Sequence, residues 1–138
     1  MSGETFARPI FERTFVAAPG DIDELGHVNN TVWVAWVQEL AVAHWQAVAD
    51  RAHVDAYVWV VVRHEIDYRG NVGAGAEVTA RTWVGEPPRG ATFDRYVEFS
   101  HAGRIIVSAK TRWAMLERAS GKLIRVPREV AAPFLKSA

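Results

Sequence analysis

The sequence predicts an α+β domain in which a five-stranded antiparallel sheet wraps around one long central helix. The 20 residues from Thr31 to Asp50 include 14 apolar residues and no Gly or Pro, which is typical of a buried helix about 30 Å long. Five other segments alternate apolar and polar residues with the period of a strand. Because short links join the last four of these segments, we expect them to pair as antiparallel neighbours.

The predicted elements follow one another without an internal repeat or a low-complexity segment. Strands are predicted over residues 10–17, 58–69, 77–85, 91–101 and 105–117, and a short helix over 127–135. Only the helix that starts at Thr31 is long and apolar enough to cover one face of such a sheet. The 138-residue chain is therefore predicted to be a single domain over residues 1–138.

Aromatic residues on the uncovered face of the sheet indicate association between subunits. Trp59, Trp83 and Tyr96 are predicted to point away from the helix. A lone domain rarely leaves such a large apolar surface in water. We therefore expect a homo-oligomer, either a homodimer or a homotetramer.

Composition and charge exclude several classes of function. Sixteen basic and 16 acidic residues give no net charge, which argues against binding to nucleic acid or to an anionic membrane surface. The absence of cysteine removes disulfides and thiolate nucleophiles, and the five histidines show no spacing typical of metal ligands. The N-terminal stretch has no signal-like pattern, so we expect a soluble, cytoplasmic protein without a metal.

The candidate functional stretch runs from Asp21 to Asn30 and reads D-I-D-E-L-G-H-V-N-N. It places three carboxylates, an imidazole and two amides directly before the long helix. The start of a helix has free backbone N–H groups and the positive end of the helix dipole. This position therefore suits a developing oxyanion or an anionic ligand.

This stretch and the aromatic helix after it resemble the motif of hotdog-fold thioesterases of the 4-hydroxybenzoyl-CoA thioesterase type. The resemblance covers nearly the whole chain and includes the I-D-Y-R strand, the turn from Arg89 to Phe93 and the closing G-K-L-I-R-V-P. It implies a hotdog fold and hydrolysis of an acyl thioester of coenzyme A, or less often of acyl carrier protein, without metal or cofactor. It also implies an active site between two subunits.

The resemblance assigns the chemistry to few residues. Asp23 matches the family's catalytic carboxylate, which acts as a nucleophile or as a general base on water, and the backbone N–H near Asn30 polarises the thioester carbonyl. Taken alone, Asp23 would more often cap a turn. The family match favours the catalytic interpretation, because a carboxylate and aimed N–H donors suffice for thioester hydrolysis. Asp21 is interpreted as structural.

The other candidate residues carry weaker signals. His27 either orients Asp23 or contacts the thioester, or it is structural. Asn29 is assigned to substrate binding, although its type is also that of an ordinary N-cap. Arg89 and Thr92 match the family's loop that meets the nucleotide and are assigned to coenzyme A. The alternatives for its phosphates are strand arginines, which are more often simply solvated: Arg63, Arg69, Arg95 and Arg112. Trp33 is assigned to the acyl pocket, with Trp36 or Val37 as other candidates and a role in the core as the alternative.

The sequence also departs from two related patterns. The loop of the plant acyl-carrier-protein thioesterases has an Asn where this chain has Leu25, so an Asn-assisted mechanism is not expected. The His-Gly-Gly loop that accompanies a catalytic helix Glu in the other large hotdog branch is missing from this sequence. Glu39 is therefore interpreted as a solvated carboxylate, and His44 and His64 as core histidines.

Three functions fit these observations. The first is an acyl-CoA thioesterase, the second is a thioesterase that acts on acyl carrier protein, and the third is a hotdog domain that binds an acyl-CoA ligand without turning it over. Asp23 argues against the third. The neutral chain favours acyl-CoA over an acidic carrier protein, because a basic docking surface is not evident.

Overall fold

A computed structural model describes residues 9–135 of the chain. Most of the N-terminal stretch in which no signal segment is expected lies outside the described residues. The elements, in chain order, are strand β1 (Phe11–Val16), a 3-10 turn (Pro19–Asp21), helix α1 (Asn30–Val48), helix α2 (Arg51–Ala56), strands β2 (Tyr57–Tyr68), β3 (Glu77–Val84), β4 (Thr92–His101) and β5 (Arg104–Glu117), and helix α3 (Arg128–Leu135).

The five strands form one antiparallel sheet in the order β1-β3-β4-β5-β2, and α1 lies against one of its faces. The predicted fold class is therefore confirmed. The link between β4 and β5 is the tight hairpin that the sequence predicts, because Ala102 and Gly103 both have positive φ angles, 51° and 79°. β1 and β2 are the two edges of the sheet, which leaves the 12-residue β2 with one unpaired side.

Aromatic side chains join α1 to the sheet. Trp33 and Trp36 of α1 are buried, and the ring of Phe99 on β4 lies 5.1 Å from Trp33. Phe15 of β1 stacks on Trp36 with ring centroids 5.1 Å apart. Because each fully buried side chain of this size contributes about 1.5–3 kcal/mol, this cluster accounts for a large share of the stability.

The long helix is shorter than predicted, and a second short helix follows it. Ala49 is extended, with φ −68° and ψ 149°, and the Asp50 carboxylate caps α2 by accepting the N–H of Ala52 at 2.9 Å. No Gly or Pro marks this break. The capping preference of Asp50 ends the predicted run two residues early and starts a new helix.

The predicted outward orientation of Trp59 is wrong. A bulge between Val61 and Arg63 shifts the register of β2 against β5, so that one alternating pattern does not hold along the strand. Trp59 instead packs inside, with its ring centroid 5.7 Å from Trp45 and 6.2 Å from Phe93. Trp83 and Tyr96 are partly exposed and stack on each other with ring centroids 6.1 Å apart.

Among residues 9–135, no helix combines the length and the apolar character that crossing a membrane requires.

Candidate active site

Local hydrogen bonds fold the stretch from Asp21 to Asn30 into a closed loop before α1. The side chain of Asp21 accepts the N–H of Ala18 at 2.9 Å, and its carbonyl accepts the N–H of Asn29 at 2.9 Å. Ile22 and Val28 pair as a short antiparallel bridge across the loop. Asp21 therefore has the structural role that the sequence predicts.

Asp23 uses one of its two carboxylate oxygens to hold the tip of the loop. Its Oδ1 accepts the backbone N–H of Leu25 at 2.9 Å and that of His27 at 3.1 Å. Its Oδ2 makes no hydrogen bond to any residue in the range 9–135. The side chain is partly exposed, and the two hydrogen bonds to Oδ1 fix the orientation of the carboxylate.

The first turn of α1 leaves one backbone donor unused. The side chain of Asn29, the N-cap, accepts the N–H of Thr31 at 3.0 Å, and the Asn29 carbonyl accepts the N–H of Val32 at 2.9 Å. The N–H of Asn30 donates to no acceptor within residues 9–135. Asn29 is therefore an ordinary cap, and Asn30 presents the free donor of this turn.

Asn71, which lies 43 residues along the chain from Val28, fixes the loop from outside. Its Oδ1 accepts the N–H of Val28 at 3.0 Å and that of Val72 at 2.8 Å, and its Nδ2 donates to the Val28 carbonyl at 3.2 Å. The sequence did not identify Asn71 as a site residue. The only signal for it was a polar side chain in the Gly-rich link after β2, and such links usually carry Asn for turn formation.

The loop tip is exposed. Leu25 has 79% of its surface accessible, and the His27 side chain is also exposed. The backbone N–H of His27, rather than its imidazole, holds the Asp23 carboxylate. The imidazole is therefore available to a ligand or to a second subunit that covers the loop.

Arg89 and Thr92 lie on the outer face of the sheet, in a polar depression that contains no residue of the Asp21–Asn30 loop. The depression is lined by Glu86, Pro87, Arg89, Thr92, Asp94, Tyr96, Lys110 and Arg112. The Thr92 hydroxyl donates to the Arg89 carbonyl at 2.9 Å, so it serves the turn. Arg112 lowers the pKa of Asp94 by a two-pronged hydrogen bond, and Arg89 makes no ion pair with the described residues.

Trp33 is fully buried among core rings and lines neither this depression nor the inner cavity described next. Its assignment to the acyl pocket stays a prediction. Glu39 is exposed and His44 is buried, as their positions in the sequence predict, whereas His64 is only partly buried. Among residues 9–135, no group of three His, Cys, Asp or Glu side chains has the spacing of a metal site.

An apolar cavity of about 220 Å³ lies between the second half of α1, α3 and the inner face of the sheet. Its wall includes three charged residues, Asp94, Arg95 and Arg118, and of these only Arg95 of β4 is almost fully buried. Arg95 Nη1 lies 2.8 Å from His44 Nδ1 and donates to Thr82 Oγ1 at 3.0 Å. Burial and the neighbouring guanidinium lower the pKa of His44 to about 3, so His44 is neutral and Nδ1 is an acceptor.

Comparison with known proteins places this arrangement in a family. Residues 17–134 match the family described as the thioesterase-like superfamily. A curated relative, the chloroplastic acyl-[acyl-carrier-protein] hydrolase FATB3 of Cuphea viscosissima, is 30% identical over 74 residues, which cover 53% of this chain. The match spans only 18% of the length of that relative.

Solved structures share the fold at low sequence identity. A predicted thioesterase from Bacillus stearothermophilus superposes with a TM-score of 0.80 at 18% identity, over 91% of this chain and 94% of that one. A 1,4-dihydroxy-2-naphthoyl-CoA thioesterase from Synechocystis superposes with a TM-score of 0.71 at 15% identity, over 88% and 92% of the two chains.

The sheet packed on one helix and the family match together define a hotdog-fold domain of the thioesterase-like class. The chain belongs to the thioesterase-like superfamily.

Proposed function

We propose that the protein hydrolyses acyl-CoA thioesters at the start of α1. The observation that carries the proposal is the pair of unused groups there. The free Oδ2 of Asp23 and the free N–H of Asn30 belong to one closed loop, which other hydrogen bonds hold in place. A carboxylate and an aimed donor are the two groups that the reaction needs.

Asp23 acts in one of two ways. As a nucleophile, its carboxylate attacks the thioester carbon, the C–S bond breaks, the thiolate takes a proton, and water then hydrolyses the mixed anhydride. As a general base, it takes a proton from the water that attacks the same carbon. Either route consumes one water and releases a carboxylic acid and CoA. The carbonyl oxygen carries negative charge in both routes, and the Asn30 N–H at the positive end of α1 stabilises it.

His27 and the N-cap support this chemistry. The His27 backbone N–H donates to Asp23, and in this proposal its exposed imidazole contacts the thioester. The Asn29 side chain fixes the first turn of α1, which determines the direction of the Asn30 N–H. Its contribution to substrate binding is therefore made through the backbone that it orders.

Arg89 binds the phosphates of coenzyme A in this proposal. It is exposed, it lies beside Lys110 and Arg112, and it forms no ion pair with the described residues, although its charge helps to lower the pKa of Asp94. Phosphate binding requires hydrogen-bond donors. Because the Thr92 hydroxyl already donates to the Arg89 carbonyl, Thr92 contributes by shaping the turn and not by donating to a phosphate.

We propose a homo-oligomer in which β2 contributes to the interface. Val60 and Val62 on this edge strand are 39% and 55% exposed, and Leu25 at the loop tip is 79% exposed. Exposed apolar residues on a long edge strand favour pairing with a second copy of the chain. Sedimentation velocity tests this, since an active 15.4 kDa monomer would contradict both the oligomer and a shared active site.

Thiol release from a panel of acyl-CoA substrates tests the proposed function. We expect the parent to hydrolyse at least one member, Asp23→Asn to lose nearly all turnover, and Asp21→Asn to lose stability with a smaller loss of rate. A parent that binds but does not hydrolyse the whole panel would favour the acyl-binding alternative. An Asp23→Asn variant within a few fold of the parent would exclude the carboxylate mechanism.

Hydrolysis of acyl carrier protein thioesters is the second candidate, and the match to the FATB3 hydrolase is the observation that favours it. The two candidates differ in the carrier and not in the bond that breaks. The ratio of kcat/KM for the same acyl group on CoA and on acyl carrier protein separates them. We expect the ratio to favour CoA, because the depression around Arg89 also contains Glu86 and Asp94 and is not strongly basic.

A further inference from the structure

Arg95 is a buried cation without a counter-ion among the described residues. Only 8% of its surface is exposed, and it forms no ion pair within residues 9–135. Its two hydrogen-bond partners, the His44 imidazole and the Thr82 hydroxyl, are both neutral. Burial lowers the pKa of Arg95 only to about 10, so it stays charged at neutral pH. A buried charge without an opposite charge is costly, and such positions usually have a partner.

The unused part of Arg95 is a two-pronged donor. The hydrogen bonds of Arg95 to His44 and Thr82 both use Nη1, whereas Nε and Nη2 donate to no atom of the described residues. Arg112, on the neighbouring strand, shows what this pair of donors binds, because its Nε and Nη2 hold the Asp94 carboxylate at 2.9 and 3.2 Å. Parallel N–H groups of this kind match the geometry of a carboxylate.

The cavity next to Arg95 has the size and lining for an aromatic ring. Its wall includes the rings of Trp45, Tyr57, Trp59, Phe93, Trp113 and Phe134. Its volume of about 220 Å³ exceeds the ~150 Å³ of an apolar protein cavity that binds benzene. Flat rings pack against such walls by offset stacking or edge-to-face contact.

We propose that this cavity binds an organic acid with an aromatic or compact apolar body and one carboxylate, which the Nε and Nη2 groups of Arg95 hold. The cavity is separate from the catalytic loop within one chain. Its α1 residues begin at Ala41, which lies 11 residues after Asn30 and therefore roughly 16 Å along the helix axis.

The carboxylate has two sources with the same chemistry. It belongs either to a free acid, which is the class of product that thioester hydrolysis releases, or to the far end of a dicarboxylic acyl group. The second source rests on the proposed function, whereas the first does not. Two measurements distinguish them.

The first measurement is a titration of intrinsic tryptophan fluorescence, which does not depend on hydrolysis because Trp45, Trp59 and Trp113 all line the cavity. The probes are 2-naphthoate, benzoate and 4-phenylbutyrate, each paired with its uncharged amide. We expect at least one acid to bind with a Kd below 1 mM and at least tenfold more tightly than its amide. Equal binding of acids and amides, or no binding up to the solubility limit, would overturn the proposal.

The variant Arg95→Met tests the residue itself. Replacing a buried charge by an apolar side chain of similar size often preserves the fold, which circular dichroism checks. We expect the variant to lose the preference for acid over amide and Arg95→Lys to retain part of it. Arg81→Met, which removes an exposed arginine from the outer face of β3, is the matched control and should bind acids like the parent. If Arg95→Met binds the acids as tightly as the parent does, the assignment to Arg95 is wrong.

The second measurement compares octanoyl-CoA with its ω-carboxylated analogue, suberyl-CoA. If the acyl group supplies the carboxylate, the carboxylated substrate has the higher kcat/KM and Arg95→Met reverses that preference. If a free acid supplies the carboxylate, the parent still binds the acid more tightly than its amide. Octanoyl-CoA then has the higher kcat/KM in both the parent and Arg95→Met. A parent that binds acids but hydrolyses neither thioester keeps the cavity assignment, and the proposed function is then contradicted only if the whole acyl-CoA panel also fails.

Discussion

The polar groups at the two ends of α1 are held in place in opposite ways. At the start of the helix, the polar groups are exposed and are held by hydrogen bonds among Asp21, Asp23, Asn29 and their near neighbours. Beside the second half, one charge is buried and is held by His44 and Thr82, which come from a helix and a different strand. In our proposals, the partly exposed carboxylate of Asp23 reacts with a ligand that reaches the surface, whereas the buried Arg95 selects a ligand that enters the cavity.

The largest expected effect separates these two regions. Asp23→Asn removes both the nucleophile and the base, so we expect kcat to fall by about 10² to 10⁴. The Kd for 2-naphthoate, measured by tryptophan fluorescence, should stay within twofold of the parent's value. A parallel loss of acid binding would show that the loop and the cavity form one site.

The next effect concerns the residue that fixes the loop from outside. Asn71→Ala leaves the Val72 N–H and the Val28 carbonyl without their side-chain partner, so we expect the free energy of unfolding to fall by about 1–3 kcal/mol. Denaturant unfolding measures the change. Asn71→Asp keeps the acceptor for the N–H groups of Val28 and Val72, so its free energy of unfolding should fall by less. Equal decreases in the two variants would contradict the role of Asn71 as the acceptor that fixes the loop.

A smaller effect follows from the buried histidine. Because the pKa of His44 is lowered from 6.5 to about 3, the unfolded chain takes up a proton before the folded chain does. The free energy of unfolding should therefore fall as the pH is lowered from about 6.5 to about 3, with a slope of at most about 1.4 kcal/mol per pH unit from this group.

Thermal unfolding at a series of pH values measures that slope. His44→Gln, which keeps an acceptor for Arg95, should have the shallower dependence. His27→Gln removes an exposed histidine and is the matched control, with the parent's slope expected. If His44→Gln and the parent lose stability in parallel, the buried imidazole is not the cause.

The smallest effect is expected on the outer face of the sheet. Arg89→Ala should raise KM for acyl-CoA by about fivefold, because an exposed charge pair contributes at most about 1 kcal/mol, and it should leave kcat nearly unchanged. Acyl-pantetheine, which lacks the nucleotide, is the control substrate. If its KM rises equally, Arg89 does not contact the nucleotide of coenzyme A.

The sequence by itself determined the parts of this protein that depend on near neighbours. Hydrophobic periodicity identified the five strands and α1 because each period is a local property of the backbone. The local structure of the loop from Asp21 to Asn30 could also be predicted from the sequence, because its Asx turn, its N-cap and the Asn30 N–H all lie within ten residues.

Only the tertiary structure decided the features that join distant residues. The bulge at Val61–Arg63 turned Trp59 inward, although the strand pattern predicted the opposite, because register depends on the partner strand. Asn71 reached the loop across 43 residues. From the sequence, Arg95 was interpreted as a solvated strand residue or an alternative phosphate contact. Its burial without a counter-ion among residues 9–135 became visible only when β4 was packed against His44 and the cavity.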